Sequence, residues 1–144
     1  MITVERVKIS GEIALEDVNY LLKQLRTDVN EPPGTQSDLD AIVSDPHVIF
    51  VVARDDRKTI GIGTIYLATK FGKKTGFVED VVVDESYRGQ GLGRKVMETL
   101  IDESKKQNAT QLYLTTRPER VAAHKLYESL GFKEKDTDVY KLHF

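Results

Sequence analysis

Cysteine is absent from the sequence, and this absence excludes disulfides, a thiolate nucleophile and zinc–cysteine sites. No apolar run approaches the roughly 18 residues needed to span a bilayer. The first ten residues, MITVERVKIS, lack the basic-then-apolar order of a secretory signal and are typical of a strand. We therefore expect a cytoplasmic protein with no membrane partner.

A basic tract is also missing. Lys and Arg number 21 against 23 Asp and Glu, which gives a formal net charge of -2, and the two signs are mixed along the chain. Neither a phosphate-tracking patch nor basic residues interleaved with aromatics is present, so nucleic acid is not an expected partner. The three histidines show no metal-ligand spacing, and no metal site is expected.

The apolar periodicity predicts a single domain over residues 1–144, without repeats or linkers. Apolar residues at helical spacing follow Leu15 until NEPPGTQSD interrupts them, and Thr35 or Ser37 caps the next helix. The predicted order is β-α-α-β-β-β-α-β-α-β-β. We expect strands at residues 2–9, 48–53, 60–68, 77–83 and 111–115, two short strands within 131–144, and helices at about 15–29, 37–43, 91–107 and 118–130.

The most informative segment is VVVDESYRGQGLGRKVMETL, in which a strand leads into three alternating glycines that open a helix. Glycines at 89, 91 and 93 let a ligand approach the backbone closely, and the free N–H groups of the first helical turn attract anions. Arg88 and Arg94 flank these glycines and suit a phosphate. The segment fits neither G-x-G-x-x-G nor the Gly-Lys-Ser/Thr of a P-loop. A glycine-rich turn without any ligand is the alternative.

VVVDESYRGQGLG resembles the R/Q-x-x-G-x-G/A signature of the GNAT superfamily of N-acetyltransferases, through Arg88, Gly91 and Gly93. AAHKLYESLGF resembles the A-x-x-x-LY-x-x-x-GF landmark of the same superfamily. The element order resembles that family across nearly the whole chain. The resemblance implies an α/β (α+β) fold: a mixed, mostly antiparallel sheet of about seven strands flanked by about four helices.

The resemblance further implies acetyl-CoA as co-substrate. In that family the signature loop cradles the pyrophosphate through backbone N–H groups, and the preceding strand pairs with the pantetheine arm. The strand positions that match here are Val81 and Val83, which a buried core strand would equally explain. The loop positions that match are Arg88, Gly89, Gln90, Gly91, Leu92, Gly93 and Arg94.

Two residues are assigned catalytic roles by the resemblance. Tyr127 matches the tyrosine that protonates the departing thiolate, although a core aromatic is the alternative. VEDVVV resembles the matching strand of spermidine/spermine and glucosamine-6-phosphate acetyltransferases, which favours Glu79 as the base, directly or through water, with Asp80 left open. Because successive strand residues point to opposite faces, only one of these carboxylates is expected at the cavity. A structural salt bridge is the alternative role for either.

Without a cysteinyl intermediate, the economical mechanism is direct attack of a primary amine in a ternary complex, with the backbone N–H near Val81 polarising the thioester carbonyl. The acceptor is a small-molecule or peptide amine, and Lys73 or Lys74 could attract an anionic one. Two alternatives stay open: a longer acyl-CoA, or a non-catalytic acyl-CoA sensor. Dimerisation is common among relatives in that family, so a homodimer also stays open.

Overall fold

A computed structural model describes residues 1–144, and its five strands form one sheet in which spatial order follows chain order. Strands β1 to β4 are antiparallel neighbours, whereas β5 runs parallel to β4. The strands are β1 (Ile2–Arg6), β2 (Val48–Asp55), β3 (Lys58–Lys70), β4 (Lys73–Val83) and β5 (Gln111–Tyr113). The helices are α1 (Leu15–Leu25), α2 (Gln36–Ser44), α3 (Leu92–Lys106) and α4 (Val121–Ser129). None of these helices is long and apolar enough to cross a bilayer.

Alternation along β2 divides the buried residues between two layers. Ile49, Val51 and Ala53 belong to the core under α3, while Phe50 and Val52 belong to the core under α1 and α2. Successive side chains on a strand point to opposite faces, so an apolar run such as VIFVVA supplies both layers at once. The sheet is thereby covered on both faces.

Helix boundaries follow local hydrogen bonding. Thr35 caps α2: its hydroxyl accepts from the Asp38 N–H at 3.1 Å, and its own N–H donates to the Asp38 carboxylate at 2.8 Å. Helix α1 ends at Leu25, four residues earlier than the sequence pattern predicts. The Arg26 guanidinium instead donates to the Pro32 carbonyl at 2.9 Å, which folds the proline-containing loop back on itself.

The sheet has five strands, and the predicted count of about seven is wrong. Residues 131–144 contain no regular structure and are almost wholly exposed, including Tyr140 and Phe144. Their alternating apolar side chains have no sheet face beneath them, and without burial nothing fixes a strand register. The expected loop between β3 and β4 is instead a tight hairpin, in which Lys70 pairs with Lys73 and Gly72 has a φ of 75°.

Candidate active site

Strands β4 and β5 part shortly after they meet. Their parallel pairing covers Thr75–Phe77 and Gln111–Tyr113 only, so β4 has no strand partner on this side from Val78 onward. A cavity of about 1250 Å³ opens at this divergence. It is lined by β4, by the residues that follow β5, by α4, by the loop after α1, and by Lys141 and His143 from the C-terminal segment. The parting of two strands thus creates a wide cavity along the free edge of β4.

A bulge at Asp80 and Val81 shapes the β4 wall. Thr64 pairs with Glu79 and Ile62 pairs with Val82, so two β4 residues lie opposite Gly63 alone. Asp80 has a φ of 51°, in the left-handed region that aspartate tolerates better than most residues. Strict alternation would bring one of two successive carboxylates to the cavity, yet Glu79, Asp80 and Val81 all line it. The expectation that only one carboxylate faces the cavity is therefore wrong, because the bulge breaks the alternation.

Gly63 lies opposite that bulge, at a position where close packing requires glycine. A Cβ atom there would lie 2.8 Å from both Leu100 Cδ1 and Val96 Cγ1 of α3. The sheet and α3 therefore approach each other closely at this point, so the helix supports the bulge from behind. A glycine within a strand is a sequence signal of a bulge or of close packing, and both are found at this position.

Both carboxylates resist ionisation. Burial raises the pKa of Glu79 and the charge of Asp80 raises it further. Burial also raises the pKa of Asp80; Arg26 opposes this effect, whereas Glu31 adds to it. The pKa of Tyr66 is raised by burial and by the charges of both carboxylates. A carboxylate whose pKa is shifted upward is a stronger base than one in water.

Two arginines anchor the loop that closes the cavity on the α1 side. Arg117 donates to the Thr27 hydroxyl at 3.0 Å, and Arg120 donates to the Leu25 carbonyl at 2.9 Å. These bonds join residues more than 85 positions apart, and no local pattern could predict them. Arg120 thereby satisfies a carbonyl at the carboxyl end of α1.

Helix α4 contributes the opposite wall. Arg120, Ala123 and Tyr127 all line the cavity, in agreement with their spacing along one helical face. Tyr127 is half-buried against Phe132, with ring centroids 6.0 Å apart. Burial raises the pKa of its phenol, and the Arg120 charge opposes this rise in part. The phenol is therefore protonated at neutral pH and able to donate a hydrogen bond into the cavity.

The glycine loop lies outside the cavity lining, at the start of α3. Gly89 and Gly91 have φ values of 81° and 76°, which favour glycine, and a Cβ on either would meet no atom within 4 Å. Gly91 is the N-cap and supplies no side chain, so the first N–H groups of α3 have no capping partner. Leu92 is buried in the core, which leaves only its backbone for a ligand.

The two arginines of the loop are held by neighbours within the chain. Arg88 donates from Nε to the Val83 carbonyl at 3.2 Å. Arg94 donates to the Ser129 hydroxyl of α4 and lies 3.8 Å from Glu98. A Cβ on Gly93 would lie 3.7 Å from Leu126, so α3 and α4 are in contact here. The N-terminal end of α3 is thus in contact with the helix that carries Tyr127.

The sequence model of the Acetyltransferase (GNAT) family matches residues 15–132. That range includes every predicted site residue, from Glu79 to Tyr127.

Two curated relatives are named after different acceptors. The chain is 37% identical over 101 residues to a probable glucosamine 6-phosphate N-acetyltransferase 2 of Oryza sativa subsp. japonica, a match that covers 66% of this chain and 59% of the relative. It is 49% identical over 55 residues to the [ribosomal protein bS18]-alanine N-acetyltransferase of Escherichia coli strain K12, covering 38% of this chain and 37% of the relative. The chain therefore spans less than two thirds of the length of either relative.

Among solved structures, the glucosamine-6-phosphate N-acetyltransferase of Arabidopsis thaliana superposes with a TM-score of 0.80. It is 25% identical, and the superposition covers 99% of this chain and 98% of that one.

Proposed function

Because the chain belongs to the acetyltransferase (GNAT) family, we propose that it transfers an acetyl group from acetyl-CoA to a primary amine. The observation that carries this proposal is the parting of β4 from β5 beside a glycine loop that opens a helix. The first feature leaves a strand edge free, and the second leaves N–H groups free. A long, extended co-substrate with phosphates at one end uses both.

Acetyl-CoA binds along this edge in the proposal. Its pyrophosphate accepts hydrogen bonds from the backbone of residues 88–94, where the helix dipole favours negative charge. Its pantetheine arm pairs with the backbone of Val81 and Val83, which β5 no longer reaches. The thioester then lies near the bulge, where the Val81 N–H is available to polarise the carbonyl oxygen.

The chemistry is direct attack in a ternary complex. A protonated alkyl amine with a pKa near 10.4 costs roughly 4 kcal/mol to deprotonate at neutral pH. Glu79 takes that proton, directly or through water, and its raised pKa suits the task. The amine nitrogen bonds to the carbonyl carbon, the carbon–sulfur bond breaks, and Tyr127 donates a proton to the leaving sulfur. Asp80 lines the same cavity and is the alternative base.

The alternative function is that of an acyl-CoA sensor, which would bind the ligand in the same cavity without catalysing a reaction. The raised pKa values of two cavity carboxylates favour the enzyme, because binding alone has no use for a base. A longer acyl group is a variant of the same reaction. The names of the relatives include both a sugar phosphate and a protein alanine, so the acceptor class must be argued from the chain itself.

The test is amine-dependent release of the CoA thiol. Because the chain has no cysteine, a thiol-reactive dye reports CoA alone. Wild-type protein is incubated with acetyl-CoA and a panel of amino sugars, polyamines and peptides. The matched variants are Glu79→Gln and Glu128→Gln, the second altering an exposed glutamate of α4.

We expect CoA release to depend on the amine. Glu79→Gln should lower the rate of release by about 10²-fold or more, and Glu128→Gln should release CoA at the wild-type rate. Loss in Asp80→Asn with retention in Glu79→Gln would assign the base to Asp80. Tight acetyl-CoA binding without release for any amine would instead identify a sensor.

A further inference from the structure

A pair of stacked aromatic rings lies next to the cavity. Phe77 on β4 and Tyr113 on β5 are register partners, with ring centroids 6.2 Å apart and planes inclined by 22°. Phe77 precedes Glu79 by two residues, so both side chains point to the same face of the sheet. Tyr66 of β3, the register partner of Phe77 on the other side, shares that face. The rings therefore extend the β4 wall of the cavity away from Glu79.

Three lysines surround these rings. Lys70 Nζ lies 5.2 Å from the centroid of Phe77, and Lys135 Nζ lies 4.7 Å from that of Tyr113. Lys135 also donates to the Tyr113 hydroxyl at 2.8 Å. This hydrogen bond and the charges of Lys135, Lys73 and Lys70 lower the pKa of Tyr113. We call Lys70, Lys73, Phe77, Tyr113 and Lys135 the lysine–aromatic platform.

The platform gathers positive charge without a counter-charge. None of its lysines lies within 4.0 Å of a carboxylate, as is true of every lysine of the chain except Lys106. The rings hold Lys70 and Lys135 in place through cation–π contacts. Lys73 adds a third positive charge that acts on the same tyrosine. These like charges repel one another, and an anion bound over the rings would relieve the repulsion.

Neighbouring Lys74 is used differently. Its ammonium donates to the Gln107 carbonyl at the end of α3, at 2.8 Å, so it stabilises the helix terminus and is not available to a ligand. The sequence suggests Lys73 or Lys74 as a contact for an anionic acceptor. Because Lys74 is bonded to Gln107, Lys73 is the one that we assign to the platform.

We propose that the lysine–aromatic platform binds the negatively charged end of the acceptor, a phosphate or a carboxylate. This inference rests on the proposed acetyl transfer at Glu79. Glu79 lies two positions along β4 from Phe77, about 7 Å, and the ammonium groups lie beyond the ring, so the anion is on the order of 10 Å from the reacting amine. Polyamines, which have no anionic end, are then poor acceptors.

The experiment compares acceptors that differ in one charge. Glucosamine 6-phosphate is paired with glucosamine, and trialanine, whose three residues extend to about 10 Å, is paired with its C-terminal amide. The ratio of kcat/KM within each pair is measured for wild type and for the double variant Lys70→Ala/Lys135→Ala. The matched control is Lys8→Ala/Lys105→Ala, which removes the same charge from exposed positions elsewhere.

We expect wild type to prefer the anionic member of at least one pair by roughly tenfold, as charge-assisted hydrogen bonds allow. The platform variant should lose this preference and the control should keep it. A preference in the sugar pair identifies phosphate as the anion, and one in the peptide pair identifies carboxylate. Equal use of both members of both pairs by wild type, or a preference that survives in the platform variant, overturns the proposal.

Calorimetric binding of the same four compounds to the CoA-loaded protein separates this inference from the enzymatic one. Anion-selective binding that needs Lys70 and Lys135, without any acetyl transfer, would overturn the enzymatic function and keep the platform. Acetyl transfer without charge preference would keep the enzymatic function and overturn the platform. Absence of anion-selective binding at millimolar concentration, together with absence of transfer, would overturn both.

Discussion

Replacement of Gly91 by alanine isolates the contribution of the glycine loop, because the chain contains another glycine with nearly the same φ. Gly91 has a φ of 76° and Gly72, in the β3–β4 turn, has a φ of 75°. A Cβ on either would meet no atom within 4 Å, so both substitutions carry the same backbone strain and no clash. Each should lower the free energy of unfolding by about 1 kcal/mol.

Acetyl-CoA binding should distinguish the two variants. At Gly91 the added Cβ would lie in open space at the N-terminus of α3, where we propose that the pyrophosphate binds, and loss of one hydrogen bond to a charged oxygen weakens binding by roughly tenfold or more. Gly72 lies at the other end of β4. Only Gly91→Ala should therefore raise the Kd for acetyl-CoA.

Thermal unfolding with and without acetyl-CoA measures both effects at once. At a ligand concentration of 100 times the wild-type Kd, binding adds about 2.7 kcal/mol to wild type and to Gly72→Ala. A tenfold weaker site in Gly91→Ala gains about 1.4 kcal/mol. At roughly 3 °C per kcal/mol, the ligand should raise Tm by about 8 °C in the first two proteins and by about 4 °C in the third. Equal ligand shifts in all three would refute the placement of phosphate at this loop.

Three further perturbations test other parts of the site. Folding raises the pKa of Glu79 and Asp80, so their ionised forms destabilise the native state. Urea unfolding at pH 7 should therefore find Glu79→Gln and Asp80→Asn more stable than wild type. This difference in stability should disappear as the pH falls toward 4, where the wild-type carboxyl groups become protonated. Tyr127→Phe should lower kcat by about 10²-fold, while its Kd for acetyl-CoA, measured by calorimetry, should equal that of wild type. An unchanged kcat would mean that Tyr127 contributes to packing and not to catalysis. Gly76→Ala places a Cβ 2.5 Å from Leu112 Cδ2 and 2.9 Å from Ile65 Cγ2, and should cost about 1–3 kcal/mol in denaturant unfolding. Wild-type stability would mean that these two side chains move aside without loss.

Much of the fold could be predicted because its elements carry strong local periodicity. The apolar spacing of α1 and α3 and the dense apolar run of β2 identify these elements and their order. The last residues mislead because alternation at Tyr140, Leu142 and Phe144 is the same whether or not a sheet lies beneath. Whether such a segment forms a strand depends on burial of its side chains, which the tertiary structure determines and the alternation alone does not predict.

The site was predictable where a residue's position depends on its own element. Spacing along one helix brings Tyr127 to the cavity, and the strand before the glycine loop brings Glu79. The positive φ of Asp80 occurs at a bulge opposite Gly63, and the sequence carries no local signal of it beyond that glycine. The contact of Arg120 with Leu25 and the gathering of Lys135 on Tyr113 depend on distant parts of the chain.

The strand order has a consequence for synthesis of the protein. Strands β1 to β4 pair with the strand next to them in the chain, whereas β5 reaches β4 only after α3 has crossed the sheet. The glycine loop emerges from the ribosome well before α4 and the residues that follow β5, which form the other side of the cavity. A nascent chain thus carries the turn at which we propose the phosphates to bind before the cavity is complete. In that proposal, full occupancy by acetyl-CoA comes late in synthesis and stabilises the last part of the domain to assemble.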